Sequence, residues 1–518
     1  MAESEVSSHL SRTCGSCALA FLLGLIILVV LDVAGVGKGF IAFAVLTLPL
    51  ALSAAVGIVS STSDCSQFQR AGNQIPAVFA GMAAGAEWAS AALLLGAPAS
   101  LLLAGFSGRP LLIGLTGGYV LIGVLIGPFL RNCGAGTLAH FMAARYGGSV
   151  ASLAVVVLLA CSAMFMLALI EAAVPLAARA LAVNSEVALY VVISVPLLCA
   201  LPGGMAGVTA TQVAQYTVLL VGGAAAFFIY FANTSDASIG ASHDALTRAI
   251  EAAVRGLGLV PAPSPQSIPF HFGQTLNDLG LIVCLMTGTA SLPHVLMHPL
   301  MTRGMGEART SAVWSLFFIA LLVLTLPTYM TLSSSVELQE QGGILAGLVP
   351  AIAVTSMLAA MSALLLTIAN CLEHDIYGRV FPRQKSSKWR PMVVRVFLLL
   401  VTATALYAAG RNTFEPTSLL AWAFSLAAAG FFPALVLGIW WSRTTAAGAV
   451  CGIISSLGLC CFYLATNADA AAGVFGIAVG FLVTAGISLL GEKPSKQKQA
   501  FLDAMRAPLS KPVLWNRR

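Results

Sequence analysis

Residues 77–105 read AVFAGMAAGAEWASAALLLGAPASLLLAG, an apolar run in which Glu87 is the single ionisable side chain. A helix needs about 20 apolar residues to cross the hydrocarbon core of a bilayer, and this run is long enough. It lacks the alternation of polar and apolar residues that a membrane β-strand requires. The stretch therefore predicts a transmembrane helix with a carboxyl group inside the membrane.

The rest of the chain is also rich in apolar residues and poor in charged ones. Of its 518 residues, 58% are hydrophobic and 9% are charged, whereas soluble domains carry about 25% charged residues. Backbone groups find no water in a bilayer, so such a chain folds as a helix bundle. We expect an all-α polytopic membrane protein with about 14 transmembrane helices, at residues 17–36, 40–59, 77–105, 111–130, 149–182, 187–201, 208–232, 276–300, 311–331, 345–372, 393–410, 416–441, 446–466 and 470–490.

The basic residues indicate how the chain crosses the membrane. When loops are assigned alternately to two sides, 20 of the 26 lysines and arginines fall on the side of the N-terminus and six on the other. Cytoplasmic loops are enriched in lysine and arginine, so both termini are expected in the cytoplasm, as in a multi-pass protein of the plasma (bacterial inner) membrane. The scatter of these charges over short loops argues for a lipid bilayer and against nucleic acid as the partner. The oligomeric state is not indicated.

Acidic side chains inside apolar segments are costly and therefore candidates for function. Asp32 lies at the end of the first segment, where an interfacial position is expected. Glu87 lies among small residues before Gly96 and Pro98, where we expect the helix to unwind and expose carbonyl groups to an ion. Glu171 either faces the interior of the bundle or is an ordinary packed carboxyl group. Glu87 is the stronger functional candidate.

A second segment is interrupted in a similar way. It begins at Asp278 and reaches GTASLPH at residues 288–294, where Pro293 removes a backbone donor. Interrupted helices at corresponding positions of two halves are typical of secondary transporters with inverted repeats and a binding site at mid-membrane. The expected divisions are N-terminal helices in 1–76, a first five-helix repeat in 77–232, an external loop in 233–275, a second repeat in 276–441, C-terminal helices in 442–490 and a solvated or lipid-surface basic tail in 491–518.

Five stretches carry a resemblance to a known family over about residues 40–490. The chain resembles the sodium:solute symporters, and within them the cation/acetate symporter branch. GTASLPHVL at 288–296 is the most specific stretch and favours that branch. The others are GAEWASAA at 85–92 with AGFSG at 104–108, RNCG at 131–134 with Thr137, Arg145 and Tyr146, GGM at 203–205 with Gln212 and Gln215, and Phe432-Pro433 with Trp440 and Trp441.

The resemblance implies a five-plus-five inverted-repeat, LeuT-like core in which a cation gradient drives uptake of a small organic solute. In the family, sodium binds between backbone carbonyl groups of the first core helix and hydroxyl groups of the eighth. By correspondence, the carbonyl positions are Ala86, Ala89 and Ser356. The two hydroxyl positions are Ala359 and Ala360 in this chain, and methyl groups supply none of the oxygen ligands that hard cations require.

Thr355 completes the candidate cation site, and two other positions depart from the family's residue types. Thr355 and Ser356 supply nearby hydroxyl groups. Gln212 stands where the family frequently has Asp, and His298 stands where an Arg is common. The expected coupling ion is therefore either sodium or a proton carried by Glu87. No other cofactor is expected.

The branch implies a short-chain monocarboxylate such as acetate as the solute. No lysine or arginine lies well inside an apolar core segment. The carboxylate is therefore expected at the N-terminal ends of interrupted helices, which offer unpaired N–H groups and the positive end of the helix dipole. We expect the solute to contact Trp88, Ser90, Thr287, Thr289 and Ser291.

Two other classes of protein are alternatives to a symporter. An enzyme would need a paired nucleophile and base or a metal cluster, and the motifs HExxH, GxSxG and a phosphate-binding glycine loop are absent, so no enzymatic activity is expected. Cys14 and Cys17 form a CxxC pair without the second pair that zinc needs, so no metal beyond the transported cation is expected. The alternative function is a non-transporting or sensor-like member of the same family, because Ala359 and Ala360 replace the family's hydroxyl groups.

Overall fold

The computed structural model describes residues 2–96, 108–234, 272–334, 343–378, 389–412, 414–467 and 472–507. Within these ranges every regular element is a helix. The α-helices are α1 (Ala2–Val33), α2 (Lys38–Val59), α3 (Cys65–Arg70), α4 (Ala77–Gly96), α5 (Gly108–Leu121), α6 (Gly127–Cys133), α7 (Leu138–Arg145), α8 (Gly148–Leu181), α9 (Ser185–Ala200), α10 (Gly204–Thr234), α11 (Phe272–Ser291), α12 (Met297–Met301), α13 (Met305–Ser334), α14 (Ile344–Cys371), α15 (Arg390–Ala409), α16 (Pro416–Trp440), α17 (Ala446–Asn467), α18 (Ala472–Leu490) and α19 (Lys496–Arg506).

Many of these helices are long and apolar enough to cross a bilayer. Eleven helical spans of the described residues meet that requirement, and α9 with α10 meets it as a pair bent by 119°. Large apolar side chains such as Leu19, Val156 and Leu482 are exposed on their outer faces, as expected where lipid is the solvent. The chain is thus an integral multi-pass membrane protein. Each of the 14 predicted segments overlaps a described helix, but 14 membrane crossings and the predicted division of the chain stay predictions.

Helix α14 lies at the centre of the bundle. It packs against α2, α4, α8 and α10, and its side chains are buried along most of its length. Small side chains at Ala359, Ala360 and Ala363, all fully buried, let the neighbouring helices approach closely, which is how membrane helices gain packing energy. The two alanines that replace the family's hydroxyl positions therefore lie inside the bundle.

The predicted interruption before Pro293 is present. Helix α11 ends at Ser291, residues 292–296 form turns, and the short helix α12 follows. Proline cannot donate the next helical hydrogen bond. The turns are held instead by bonds such as that from Met297 N to His294 O at 3.1 Å. A buried kink therefore connects α11 and α12.

The predicted unwinding of the first core helix around Glu87 is wrong. Helix α4 is continuous from Ala77 to Gly96, because its many alanines are strong helix formers. The hydroxyl of Ser90 donates to the carbonyl of Glu87 at 2.6 Å within the same helix. Pro98 and the rest of residues 97–107 lie outside the described residues, as does most of the predicted external loop.

A tight turn connects α9 to α10. Gly204 adopts φ = +55°, a backbone conformation that disfavours residues with a Cβ. A Cβ at this position would also overlap the carbonyl oxygen of Phe68. The Arg395 guanidinium donates to the carbonyl groups of Leu201 at 3.0 Å and Pro202 at 3.1 Å. The turn is thus fixed both by its glycine and by a basic side chain from α15.

The tail is not simply a solvated or lipid-surface stretch. Its helix α19 buries Phe501, Leu502 and Met505 against the bundle, because those apolar residues lie on one face of an otherwise polar helix. The Asn132 amide of α6 donates to the carbonyl of Met505 at 2.8 Å and to that of Ala507 at 2.6 Å. Asn132 therefore caps the end of a docked C-terminal helix.

Candidate functional site

Glu87 is buried in α4, with 3% of its surface exposed. Its Oε1 accepts a hydrogen bond of 2.6 Å from Gln212 Nε2 of α10. Its Oε2 lies 2.9 Å from His298 Nε2 of α12, which is the distance of an ion pair, although neither atom makes a hydrogen bond. We call Glu87, Gln212 and His298 the Glu87 cluster. It joins two helices of the first predicted repeat, α4 and α10, to α12 of the second, next to the kink that precedes α12.

Gln212 also connects the cluster to the central helix. Its Nε2 donates to the backbone carbonyl of Ala359 at 3.1 Å. The hydroxyl of Ser362 donates to the same carbonyl at 2.9 Å. One amide nitrogen thus bridges a carboxylate oxygen of α4 and a carbonyl oxygen of α14, beside a position where the family has a hydroxyl ligand for sodium.

Two more titratable side chains lie around Glu87. Tyr119 of α5 is in electrostatic contact with Glu87, and its hydroxyl donates to the carbonyl of Ala84 at 3.1 Å. His294, in the kink, is in electrostatic contact with Glu87 and His298. Its ring centroid lies 5.2 Å from that of Phe165. Across the described ranges, Glu87 makes no ion pair with a lysine or arginine.

The other predicted cation ligands lie on α4 and α14. Ala86, Ser356 and Thr355 are fully buried and Ala89 is nearly so. The Ser356 hydroxyl donates to the carbonyl of Ala353 at 2.7 Å, whereas the Thr355 hydroxyl is buried without a hydrogen-bond partner. Of the two predicted hydroxyl ligands, Thr355 is therefore the one whose hydroxyl is still available to bind a ligand. A cation bound by these residues stays a prediction.

A cleft adjoins the Glu87 cluster between α4, α10, α13 and α14. Its lining is almost wholly apolar, and Thr325 and Trp88 are the lining residues that carry a polar group. The lining residues are Trp88, Ala89, Leu93, Leu219, Gly223, Ala226, Leu322, Thr325, Val349 and Ile352.

The cleft and the Glu87 cluster follow one another along the same helices. Leu219 comes seven residues after Gln212 on α10, and Ile352 comes seven residues before Ala359 on α14. Seven helical residues are two turns, or about 10 Å. Thr355 lies between Ile352 and Ala359 on the same face of α14. Along α10 and α14 the cleft therefore lies about two turns away, with the unpaired Thr355 hydroxyl between, whereas on α4 its lining begins at Trp88, next to Glu87.

The five predicted solute residues are not gathered into this cleft. Trp88 lines it, and its Nε1 is buried without a partner. The hydroxyl groups of Ser90 and Thr287 bond to carbonyl groups of their own helices. Those of Thr289 and Ser291 are buried and unpaired at the end of α11. Thr289 and Ser291 thus keep bonding capacity near the kink, while Trp88 keeps it in the cleft.

Sequence reasoning did not place Gln212, His298 or Gln215 among the site residues. The available signal was that Gln212 and His298 both depart from the family's residue types. Gln212 and His298 both contact the carboxyl group of Glu87. The two differences from the family therefore change the surroundings of the same side chain. Gln215 is fully buried, and both of its amide atoms lack a partner.

The described part of the chain contains no group of three or more His, Cys, Asp or Glu side chains able to hold a metal ion. Cys14 Sγ lies 3.2 Å from Thr217 Oγ1. Seven of the cysteines are buried, while Cys451 and Cys461 are exposed on α17.

A membrane-spanning helix bundle with a buried carboxyl cluster at a helix kink and an adjoining cleft belongs to the class of solute transporters. The profile of the Sodium:solute symporter family matches residues 68–333 and 328–456. The chain therefore belongs to the sodium:solute symporter family, as its motifs predicted. The family and its fold are those of cation-coupled symporters.

Curated relatives match most of the chain. An uncharacterized symporter of Cupriavidus necator is 27% identical, over 87% of this chain and 91% of that protein. A protein of Corynebacterium glutamicum named Monocarboxylic acid transporter is also 27% identical, over 81% of each chain.

Solved structures show the same fold. An outward-open, substrate-bound sodium-coupled sialic acid symporter superposes with a TM-score of 0.67 at 18% identity, covering 88% of this chain and 98% of that one. The nucleobase-cation-symport-1 transporter Mhp1, in a closed conformation, gives a TM-score of 0.50 at 13% identity, covering 84% and 98%. These likenesses confirm the predicted LeuT-like, five-plus-five inverted-repeat fold.

Proposed function

We propose that this protein is a secondary active symporter that uses a gradient of sodium or protons to take up a short-chain monocarboxylate such as acetate. The observation that carries the proposal is that the buried Glu87 cluster adjoins the cleft, next to Trp88 on α4 and about two turns from Leu219 on α10. An ionisable side chain inside a membrane bundle marks a pathway for ions or solutes. Its closeness to the cleft provides a direct physical route for coupling the two.

The lining of the cleft supports a small amphiphilic anion as the solute. Its aliphatic side chains, among them Leu219, Leu322 and Ile352, suit a short hydrocarbon chain. The unpaired N–H of Trp88 suits one carboxylate oxygen, because hydrogen bonds to charged groups are the stronger ones. The name of the Corynebacterium glutamicum relative supports the same substrate class.

The charge distribution supports an orientation for uptake. With both termini in the cytoplasm of the bacterial inner membrane, α4 and α10 begin near the cytoplasm and run outward. The cleft then lies on the external side of the Glu87 cluster. A solute entering from outside would reach Trp88 before it reached the kink.

Counterflow of labelled acetate tests this function. We expect purified protein in liposomes loaded with unlabelled acetate to take up label faster than protein-free liposomes. Net accumulation should then appear under a sodium gradient or a proton gradient. Absence of counterflow and of accumulation under both gradients would support the non-transporting or sensor-like alternative.

A further inference from the structure

The charges of the Glu87 cluster depend on one proton. Glu87 is one acidic group, His298 is one basic group, and Gln212 is neutral at every relevant pH. With one proton shared between Glu87 and His298 the pair is neutral overall, either as two neutral groups or as an ion pair. Without that proton the pair carries one buried negative charge, which the described lysines and arginines do not compensate.

Gln212 bridges two buried oxygen atoms, one on α4 and one on α14. Its Nε2 donates to the carboxylate of Glu87 and to the carbonyl of Ala359. Both oxygens are therefore satisfied by N–H groups of the protein itself. Hard cations need oxygen ligands, and the methyl groups of Ala359 and Ala360 add none at this point. The amide takes the bridging role and leaves the carboxyl group to exchange a proton.

We propose that Glu87 and His298 together bind the coupling proton, and that Gln212 holds Glu87 in place of a sodium ion. This inference rests on the proposed symport function and names its coupling ion. A proton from the outside binds to the pair as the solute enters, and the same proton leaves to the cytoplasm with the solute. One proton and one monocarboxylate anion then cross together, so the step is neutral in charge.

The position of His298 explains how proton binding reaches the rest of the molecule. His298 lies on α12, directly after the kink at residues 292–296, whereas Glu87 lies on the continuous helix α4. Its Nδ1 is buried and, within the described structure, unpaired. Loss of the proton leaves an uncompensated charge in the closed bundle, which is costly. The deprotonated pair therefore favours a conformation that admits water at α12.

Besides His298, other polar and titratable groups surround Glu87. Helix α10 contributes Gln212, and α5 contributes Tyr119. The kink contributes His294, which packs against Phe165. The Tyr119 hydroxyl donates a hydrogen bond to the carbonyl of Ala84. The histidine that lies at ion-pair distance from Glu87 is His298.

Transport in sodium-free medium tests the inference. Full-length protein in liposomes is given labelled acetate with choline in place of sodium and an inward proton gradient. Because acetic acid itself crosses lipid, uptake by protein-free liposomes is measured as the background and subtracted. We expect accumulation by the natural protein and at least a tenfold loss in Glu87→Gln, with counterflow retained. Accumulation that needs sodium and ignores the proton gradient would overturn the inference while leaving the proposed function intact.

A measurement that needs no solute tests proton binding separately from the proposed symport function. Infrared difference spectra recorded during a pH titration should contain a protonated carboxyl band that Glu87→Gln removes. His298→Gln should move the titration of that band, and of transport, to another pH. His9→Gln, an exposed histidine of α1, should leave both titrations unchanged. A spectrum identical in the natural protein and Glu87→Gln would overturn proton binding, even if acetate proves to be the wrong solute.

Discussion

Gln212 and Gln215 lie one turn apart on α10 and are equally buried, yet their amides are in different situations. Gln212 bonds to Glu87 and Ala359, whereas neither amide atom of Gln215 has a partner. A buried polar group without a partner is costly, and one that is paired stabilises by tying elements together. The pair therefore offers an internal comparison of what a buried amide contributes.

We expect Gln212→Met to lower the stability of the protein and Gln215→Met to leave it unchanged or raise it. The first change leaves the buried Oε1 of Glu87 without its hydrogen bond, at a cost of about 1–3 kcal/mol, while the carbonyl of Ala359 keeps the hydroxyl of Ser362. Thermal unfolding of the detergent-solubilised protein measures the difference. Equal losses in the two variants would contradict the bridging role of Gln212.

A substitution at Trp88 tests whether its indole N–H binds the solute. Trp88→Phe keeps an aromatic ring in the cleft and removes the unpaired N–H. We expect the KM for acetate to rise about tenfold, since a lost hydrogen bond to a charged group costs roughly 1.5–3 kcal/mol. Trp422→Phe is the matched control, because Trp422 also has an unpaired indole N–H and does not line the cleft. An unchanged KM in Trp88→Phe would remove Trp88 from the site.

Some residues of the site could be predicted from the sequence and others could not. Glu87 could be found because an acidic residue in an apolar run is rare and costly. The partners of Glu87 could not be predicted in the same way. Gln212 is 125 positions away along the chain and His298 more than 200, and one sequence does not show which distant residues come into contact. Ser90 and Thr287 were expected to face the solute. A hydroxyl inside a helix can always bond to a carbonyl one turn back, and both do so.

At the level of elements, the two interrupted segments differ. Pro293 blocks a helical hydrogen bond, so the kink after α11 was predictable from one residue type. The segment around Glu87 contains glycine but no proline before Pro98, and its alanines keep α4 continuous. Glycine alone lowers helix stability by about 1 kcal/mol, which buried packing easily offsets.

The turn between α9 and α10 gives a prediction for an element boundary. We expect Gly204→Ala to destabilise the protein by about 1–2 kcal/mol from backbone strain, with a further cost from the overlap with Phe68. Gly148→Ala at the start of α8 is the control, because nothing lies within 4 Å of its added Cβ. Thermal unfolding separates the two. Equal stability of both variants would show that the turn relaxes without cost.

Helix α19 gives a second prediction at this scale. Leu502→Ala removes a fully buried side chain, and such changes cost about 2–5 kcal/mol. We expect faster hydrogen exchange over Lys496–Arg506 with little change in α14. Gln497→Ala, on the exposed face, should not alter exchange. Slow exchange in Leu502→Ala would mean that the Asn132 cap alone holds the helix.

For the whole molecule, composition and apolar runs were enough to predict a helical membrane bundle. The family motifs added the inverted-repeat fold. Both succeeded because the bilayer leaves a chain few ways to satisfy its backbone. The docking of the tail was not predicted, since α19 depends on contacts with α6 that its own polar composition does not indicate.

The charge asymmetry predicts orientation. A C-terminal alkaline phosphatase fusion should be inactive in cells, and a fluorescent protein at the same position should be bright, because 20 of 26 basic residues lie in loops on the side of the termini. An active phosphatase fusion would place the termini outside. It would also reverse the direction in which the cleft faces.

The distribution of cysteines has a practical consequence for following this transporter in motion. Because Cys451 and Cys461 are the exposed thiols of the described chain, a fluorophore can be attached to α17 at one of them once the other is replaced. An acceptor introduced near α12 would then report the distance between these two helices by energy transfer. The buried sulfur atoms, including Cys284 and Cys371, can stay in place during such labelling.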